Sequence, residues 1–475
     1  MKLPAYPRTK PSGVEWLGDI AHDWTISPIK HLVSTPVTDG PHETPEIFDV
    51  GIPFVSAEAI RGGKINFGKI RGHITVEDHK RFSRKYKPRR GDIYLIKSGA
   101  TTGRIAMVDA EIEFNIWSPL AAIRCEPKKI DRLFLFFYMQ SKEFQTAVEL
   151  SWSFGTQQNI GMGVIQNLSV PLPSLPEQRA IAAFLDLETG RVDRLVAKKR
   201  ELIERLKEKR TALISRTVTR GLPPARARAA GLSANPTLKP SGIEWIGDVP
   251  KHWQVTKMSR VCATIRDGTH NPPDRADGIH RLLSVRNVQE GRFTLLSDDR
   301  TMTAEDFAEL QLSYTVEEGD IVLAIVGATT GKSAIVGRFE NVTVQRSLAI
   351  LRPNKSAISS SFLHYVIQSP VVQTEIELTI FKYSAQPGIY LEDIGRLLVV
   401  RPPLPEQVAI TAYLDEETAK LDALVGKVEA AVERLQEYRT ALITAAVTGK
   451  IDVRSHASPT PAPLRVIEEI PTRSA

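Results

Sequence analysis

Apolar residues follow two rhythms along this chain, and the rhythms alternate. Short β-rich runs bounded by glycine fill two front stretches and predict strands; Gly51-Ile52-Pro53-Phe54-Val55 and Gly319-Asp320-Ile321-Val322-Leu323-Ala324-Ile325-Val326 are examples. A helical segment closes each stretch, Asp131 to Leu150 and Ser361 to Leu378. Beyond it the period changes. In the first copy Val192, Leu195, Lys199, Leu202, Leu206, Lys209 and Leu213 fall three and four apart. In the second copy Leu421, Leu424, Val428, Ala431, Leu435, Tyr438 and Leu442 do the same, which is a heptad seam on a long helix. Pro176 and Pro405 suit a first helical turn, and Ser174 with Glu177 has capping-box spacing in the first copy. Two homologous seams separated by a whole module bury most simply by packing helix against helix, antiparallel. The alternative is that each helix packs only on its own module. Lys199 and Lys209 interrupt the first seam and must snorkel or meet an acidic partner.

The chain is written twice. Lys10-Pro11-Ser12-Gly13-Val14-Glu15-Trp16-Leu17-Gly18-Asp19 returns as Lys239-Pro240-Ser241-Gly242-Ile243-Glu244-Trp245-Ile246-Gly247-Asp248. Asp39-Gly40-Pro41-His42 returns as Asp267-Gly268-Thr269-His270, and Gly91-Asp92-Ile93 as Gly319-Asp320-Ile321. Gly99-Ala100-Thr101-Thr102-Gly103 recurs as Gly327 to Gly331, and Leu175-Pro176-Glu177-Gln178 as Leu404 to Gln407. The offset is about 228 residues throughout, so this is one tandem duplication and not a short-period solenoid. From Leu175 to Thr219 against Leu404 to Thr448, about 26 of 45 positions are identical, whereas the front halves barely match between landmarks. One part of each repeat does a common job and the other a private one.

The predicted fold is therefore α+β: two tandem-duplicated α/β domains, each followed by a long helix, the two helices packing as an antiparallel coiled coil. The expected divisions are a first domain over 1–174, a helix over 175–220, a linker over 221–238, a second domain over 239–403, a helix over 404–450 and a disordered tail over 451–475. The linker rests on Gly221-Leu222-Pro223-Pro224, and the tail on its Pro, Ser and Thr content.

Composition narrows the function. Apolar content of 42% and charged content of 25% are ordinary for a soluble protein. The formal charge of +7 permits a polyanionic partner without requiring one. Two cysteines, Cys125 and Cys262, argue against a disulfide framework or a cysteine-held metal and fit a reducing cytoplasm. No run has signal-peptide or membrane-spanning character, so no membrane role is expected.

Catalytic motifs fail on inspection. Gly327-Ala328-Thr329-Thr330-Gly331-Lys332-Ser333 imitates a nucleotide-binding P-loop but has three residues between its glycines where four are needed. Asn271-Pro272-Pro273-Asp274 imitates the adenine-methyltransferase tetrapeptide, but Asp274 cannot stack on a flipped base. No metal-ligand spacing surrounds His42 or His270.

Nucleic-acid contacts have better candidates. Lys80-Arg81-Phe82-Ser83-Arg84-Lys85-Tyr86-Lys87-Pro88-Arg89-Arg90 is a basic run with two aromatics, expected in a loop before a strand and suited to phosphate neutralisation. A solvated basic turn is the plainer alternative. The second copy has acidic residues there, leaving Arg266, Arg275, Arg281, Arg286 and Arg292 as scattered candidates. Phe154 to Asn159, with Gln157, Gln158 and Asn159, and its counterpart Phe381 to Gln386, with Lys382, Tyr383 and Gln386, hold side chains suited to base edges. His42 and His270 join these as loop residues that could touch DNA.

This order of motifs, everything twice over residues 10 to 450, resembles the specificity subunits of type I restriction-modification enzymes. The resemblance implies two target-recognition domains, each reading one half of a bipartite double-stranded DNA target, and no catalysis by this chain. It implies long helices that act as spacer and as docking surfaces for two copies of a DNA methyltransferase subunit, with restriction and translocase subunits joining. S-adenosylmethionine, ATP and Mg would be bound by those partners and no cofactor by this chain. Pro41 departs from the pattern seen at Thr269, and the linker is long and carries arginines. Two rival readings are a coiled-coil adaptor without DNA specificity and a self-contained DNA-modifying enzyme.

Overall fold

A strand buried on both faces must be apolar at every position, and the sheets of both copies are built around such strands. The structure, a computed structural model, describes residues 3–152, 158–289, 291–380 and 388–456. It divides into two units, the first comprising residues 1–199 with 430–475, the second residues 200–429.

In the first unit the central strand Ile93–Ile96 lies between Ile105–Met107 and Leu120–Ile123, and Thr38–Asp39 completes the antiparallel sheet. Ile93 and Leu95 face a large core with Trp24, Phe134, Tyr138 and Phe144. Tyr94 and Ile96 face a smaller one with Val55, Phe114 and Leu120. A second sheet, Asn115–Ile116, Ile52–Val55 and Gly72–Ile74, carries the short helix Val76–Ser83 beyond it. The second unit repeats this plan. Ile321–Ala324 lies between Leu348–Pro353 and Ser333–Ile335, with Cys262–Asp267 at one side and Arg292–Phe293 at the other. Ile321 and Leu323 face the large core, and Val322 and Ala324 the small one.

Each large core is finished by helix ends. The first long helix is Leu175–Arg220 and the second Leu404–Val447. In the first unit Ile181 and Leu185 of the first helix share the core with Leu442, Ile443, Ala446 and Val447 of the second. Further along, Val192 and Val196 pack with Val432 and Leu435, and Arg439 bonds Asp193 at 2.9 Å. In the second unit Ile214 and Val218 share a core with Ile410 and Leu414, and Arg210 bonds Asp422 at 3.1 Å. Rising numbers in one helix meet falling numbers in the other, so both pairings are antiparallel.

The seam is phased differently from the expectation. The less exposed positions of the first helix are 192, 196, 199, 203, 206, 210 and 213, and of the second 421, 425, 428, 432, 435, 439 and 442, with Ala431 half-buried beside Val432. Val192, Leu206, Leu213, Leu421, Val428, Leu435 and Leu442 thus lie on the inner face. Leu195, Leu202 and Leu424 do not; each is more than 40% exposed, as is Tyr438. The steps run four then three where the sequence suggests three then four. A one-residue shift turns a helix by about 100°, so Val196 and Ile203 replace their more conspicuous leucine neighbours. Lys199 is half-buried and Lys209 exposed.

A glutamine fixes where each long helix starts. Gln178 is buried; its Oε1 accepts the Asp131 amide at 2.7 Å and its Nε2 donates to the Pro173 carbonyl at 2.9 Å. Gln407 does the same with the Ser359 amide and the Pro402 carbonyl, both at 2.8 Å. The preceding glutamate also bonds elsewhere than a capping box requires: Glu177 takes the Tyr6 hydroxyl at 2.7 Å, and Glu406 the Trp253 indole at 2.9 Å. Segment 221–238 includes a helix, Pro224–Ala229, whose Arg226 bonds Glu416 at 3.0 Å. In the first unit the Asp452 amide donates to the Pro4 carbonyl at 2.8 Å and Arg454 covers the Tyr6 ring. Among the described residues no helix is long and apolar enough to cross a membrane.

One duplicated position gives a pH test. His364 of the second unit occupies the place of Phe136 in the first, and burial pushes its imidazole down to about 4 despite a bond to the Ser333 carbonyl. The unfolded chain therefore takes up this proton first. Stability should fall as pH drops from about 6.5 toward 4, by up to ~1.4 kcal/mol per pH unit. In His364→Phe the urea midpoints near pH 7.5 and pH 5 should differ less than in the parent; an unchanged difference refutes this.

Candidate nucleic-acid interface

The repeated Gly-Asp-Ile motif is a buried frame. Asp92 receives the Tyr86 hydroxyl, the Arg89 amide at 2.9 Å, and the Arg124 guanidinium at 2.8 and 2.7 Å. Asp320 receives Tyr314 at 2.8 Å, the Glu317 amide at 2.9 Å, and Arg352 at 2.8 and 2.9 Å. Burial raises both tyrosine hydroxyls far above their ordinary range, so they stay neutral donors. Tyr86 lies three residues beyond the helix Val76–Ser83 and its amide still bonds the Phe82 carbonyl at 3.3 Å, so the frame fixes that helix end against the sheet. The helix start is fixed alike in both copies: Thr75 accepts the Asp78 amide at 3.0 Å and Thr303 the Asp306 amide at 3.1 Å.

The basic run sits on this frame but is not one loop. Lys80 and Arg81 belong to the helix, and the chain is extended only further on. Much of its charge is already met. Arg81 pairs with Asp78 and Glu43, Lys87 with Glu113 at 2.6 Å, and Arg90 with Glu111 at 2.9 Å. Lys80, Arg84 and Arg89 are exposed and make no ion pair among the described residues. Lys85 bonds Asp39 at 2.5 Å and the Gly40 carbonyl at 3.0 Å.

Asp39 gathers the neighbouring elements. Besides Lys85 it binds Lys97 at 3.1 Å and His42 at 3.2 Å. Burial would raise its carboxyl, and the two ammonium groups outweigh burial and hold it below its ordinary value. The next residue has to be glycine, because a Cβ on Gly40 would lie 1.9 Å from the Ile116 carbonyl oxygen, and one on Gly268 2.0 Å from that of Val344. His270 bonds Asp267 at 2.6 Å in the second copy, and both histidine rings are largely exposed.

The glycine-threonine turn connects two antiparallel strands in each unit, whereas a P-loop leads from a strand into a helix. Thr102 closes it on the Gly99 carbonyl and Thr330 on that of Gly327, both at 2.7 Å. A glutamine holds its far side: Gln145 donates to the Gly103 carbonyl at 3.1 Å, and Gln373 to that of Gly331 at 3.0 Å. The turn meets the private loops. The Gly99 amide donates to the Gln158 carbonyl at 3.0 Å and Ser98 bridges Asn159, while Val326 bridges Gly388. Gln158 and Asn159 are exposed; Gln157, Lys382, Tyr383 and Gln386 lie outside the described residues.

The structure thus brings His42, Lys85 and Arg81 to one turn and Gln158 and Asn159 to the next, joined through Lys97. Lys87 and Arg90 lean away onto Glu113 and Glu111. In the second unit Arg266 is held by Ser313 at 2.8 and 3.0 Å, and Arg281 by the Leu296 carbonyl at 2.8 Å. Arg275 reaches the Asp298 carbonyl and Arg286 the Asp298 carboxylate, whereas Arg292 makes no ion pair among the described residues. Sequence reading missed Tyr86, Arg124 and Gln145. Their signal is the offset, since Tyr314, Arg352 and Gln373 each lie 228 residues on.

The model of the type I restriction modification DNA specificity domain matches residues 23–206. The EcoBI specificity subunit of Escherichia coli is 27% identical over 329 residues, 68% of this chain and 66% of that protein. The EcoKI specificity subunit of Escherichia coli strain K12 is 20% identical over 93% of this chain and 92% of its own length. The chain is thus similar to the specificity subunits of type I restriction-modification enzymes, over residues 23–206 by the family model and over most of its length by the relatives. A specificity subunit from Methanocaldococcus jannaschii, MjaVIII, is 23% identical over 85% of this chain and 87% of its own. The fold agrees with a solved chain from work on assembly and conformational transition of the type I R-M system, at TM-score 0.63, 17% identity, 91% of this chain and 99% of that one.

The buried Asp-Tyr-Arg frame makes a stability prediction. Asp92→Ala leaves the largely buried Arg124 guanidinium without its carboxylate, which costs about 3 kcal/mol, whereas Arg352 keeps Glu317 at 2.6 Å, so Asp320→Ala should cost less. Urea denaturation should show that order; a loss below about 1 kcal/mol in both would mean the frame is dispensable.

Proposed function

We propose that this chain is the non-catalytic, sequence-specific DNA-binding subunit that directs a type I restriction-modification complex to a bipartite target, each recognition domain reading one half-site. One observation carries the reading: two modules share a buried frame residue for residue while their exposed loops and charges differ. Two copies of one fold that must read different sequences need that division. The recognition domains are residues 1–174 and 239–403, with 221–238 as linker, the helices of 175–220 and 404–450 as spacer, and 451–475 as tail. The subunit works in the cytoplasm.

The long helices supply the docking surface. Leu187, Leu195 and Leu202 on the first helix, and Leu424 and Tyr438 on the second, are exposed where the partner helix does not cover them. Two homologous helices suit two copies of a methyltransferase subunit. Those subunits hold S-adenosylmethionine, and the restriction and translocase subunits use ATP and Mg.

Binding should depend strongly on salt. Replacing Lys80, Arg84 and Arg89 together with Ala should weaken binding to all duplexes alike, and lower the slope of log K against log salt by about 0.9 for each phosphate no longer neutralised. Unchanged slope and affinity would return the run to a solvated surface. Exchanging residues 1–174 for the first module of another specificity subunit, in a host with the whole operon, should change one half of the methylated sequence. A change in both halves refutes the modular reading. The purified chain should neither methylate DNA nor hydrolyse ATP, and turnover abolished by Lys332→Ala would overturn that.

A further inference from the structure

The duplication separates two kinds of surface residue. A side chain that differs between the copies can read a half-site; one that recurs in both serves what both copies meet alike, which for a DNA-facing position of a recognition module is the sugar-phosphate backbone. Within the two recognition modules, two positions recur as exposed cations among the described residues. Arg104 follows the glycine-threonine turn of the first unit, and Lys332 follows that turn 228 residues later. Lys64 and Arg292 are the second such pair, again 228 apart. All four are exposed, and none makes an ion pair among the described residues.

Local structure places the two cations of each copy on neighbouring strands. Arg104 opens the strand Ile105–Met107, and Gly63, next to Lys64, bridges Ala106 of that strand. Lys332 opens Ser333–Ile335, and Arg292 pairs directly with Ile335. Both sites adjoin the private loops, through Ser98 with Asn159 and Val326 with Gly388. The turn before Arg104 and Lys332 is set by the same threonine and glutamine bonds in both copies.

We infer that Lys64 with Arg104, and Arg292 with Lys332, are equivalent clamps for DNA backbone phosphates that set each recognition module on the duplex without reading sequence. The exchange of residue type supports a phosphate over a base. Arg and Lys trade places at both positions, and they are not interchangeable where a planar fork must match a base edge, whereas a phosphate accepts either charge. This assignment also gives Lys332 a role that the failed P-loop does not. It rests on the DNA-binding reading above.

The test uses the full chain and a random-sequence duplex, with anisotropy measured across a salt series. Arg104→Ala and Lys332→Ala should each lower the slope of log K against log salt by about 0.9, and the double variant by about twice that. Arg104→Lys and Lys332→Arg should keep the slope. Sequences selected from a random pool by either alanine variant should match those selected by the parent. Salt-dependent binding by the parent with unchanged slopes in both alanine variants overturns the clamp alone. An altered half-site in Arg104→Ala or Lys332→Ala also overturns it, in favour of base reading. Saturable ATP binding that disappears in Lys332→Ala overturns it in favour of a nucleotide site. Failure of the parent to bind any duplex removes the DNA-binding reading and the clamp together.

Discussion

Neither large core closes with its own module alone. Trp24 and Phe134 in the first unit, and Trp253 and Phe362 in the second, are covered by the start of one long helix and the end of the other. Burying each large apolar side chain there is worth roughly 1.5–3 kcal/mol, far more than any exposed ion pair along the helices. This shared burial dictates the antiparallel pairing, and Gln178 and Gln407 fix where each helix must begin. The sheets follow, since Ile93–Ile96 and Ile321–Ala324 lie between that core and a second one and can carry no polar face.

On this base the duplication works as a comparison within one molecule. The Asp92, Tyr86 and Arg124 frame and its counterpart hold a helix end and a turn in fixed places. What stands on the frame is free to vary: Arg84 and Lys85 occupy positions taken by Leu312 and Ser313 in the other copy. The buried polar network is strongly tied because its groups have no water to fall back on, whereas the exposed positions carry no such constraint.

The fold was legible because its signals are periodic or repeated. Strand runs, the long helices and the duplication all stand out, and the alternation of two cores explains why the central strands read as unbroken apolar runs. The seam phase was harder to read. Leu195 and Val196 both satisfy a heptad, and only the core at the helix end selects between them. The candidate site was legible in part. Basic residues show in the sequence, but the acidic partners that hold Arg81, Lys85 and Lys87 come from distant segments, Glu43, Asp39 and Glu113, and no local pattern announces them. Arg104 was hidden because it stands alone in its own copy; only its match with Lys332 gives it meaning.

The division of the chain also fixes an order of completion during synthesis. Residues 200–429 form the second unit without a break, whereas the first waits for residues 430 onward to bring Leu442, Ile443, Ala446 and Val447 to Trp24. About 230 residues separate its two parts. At roughly 5–20 residues per second, the half-built first unit spends on the order of ten to fifty seconds with an open apolar face while the later unit finishes first. The segment made earliest is thus the last to be sealed.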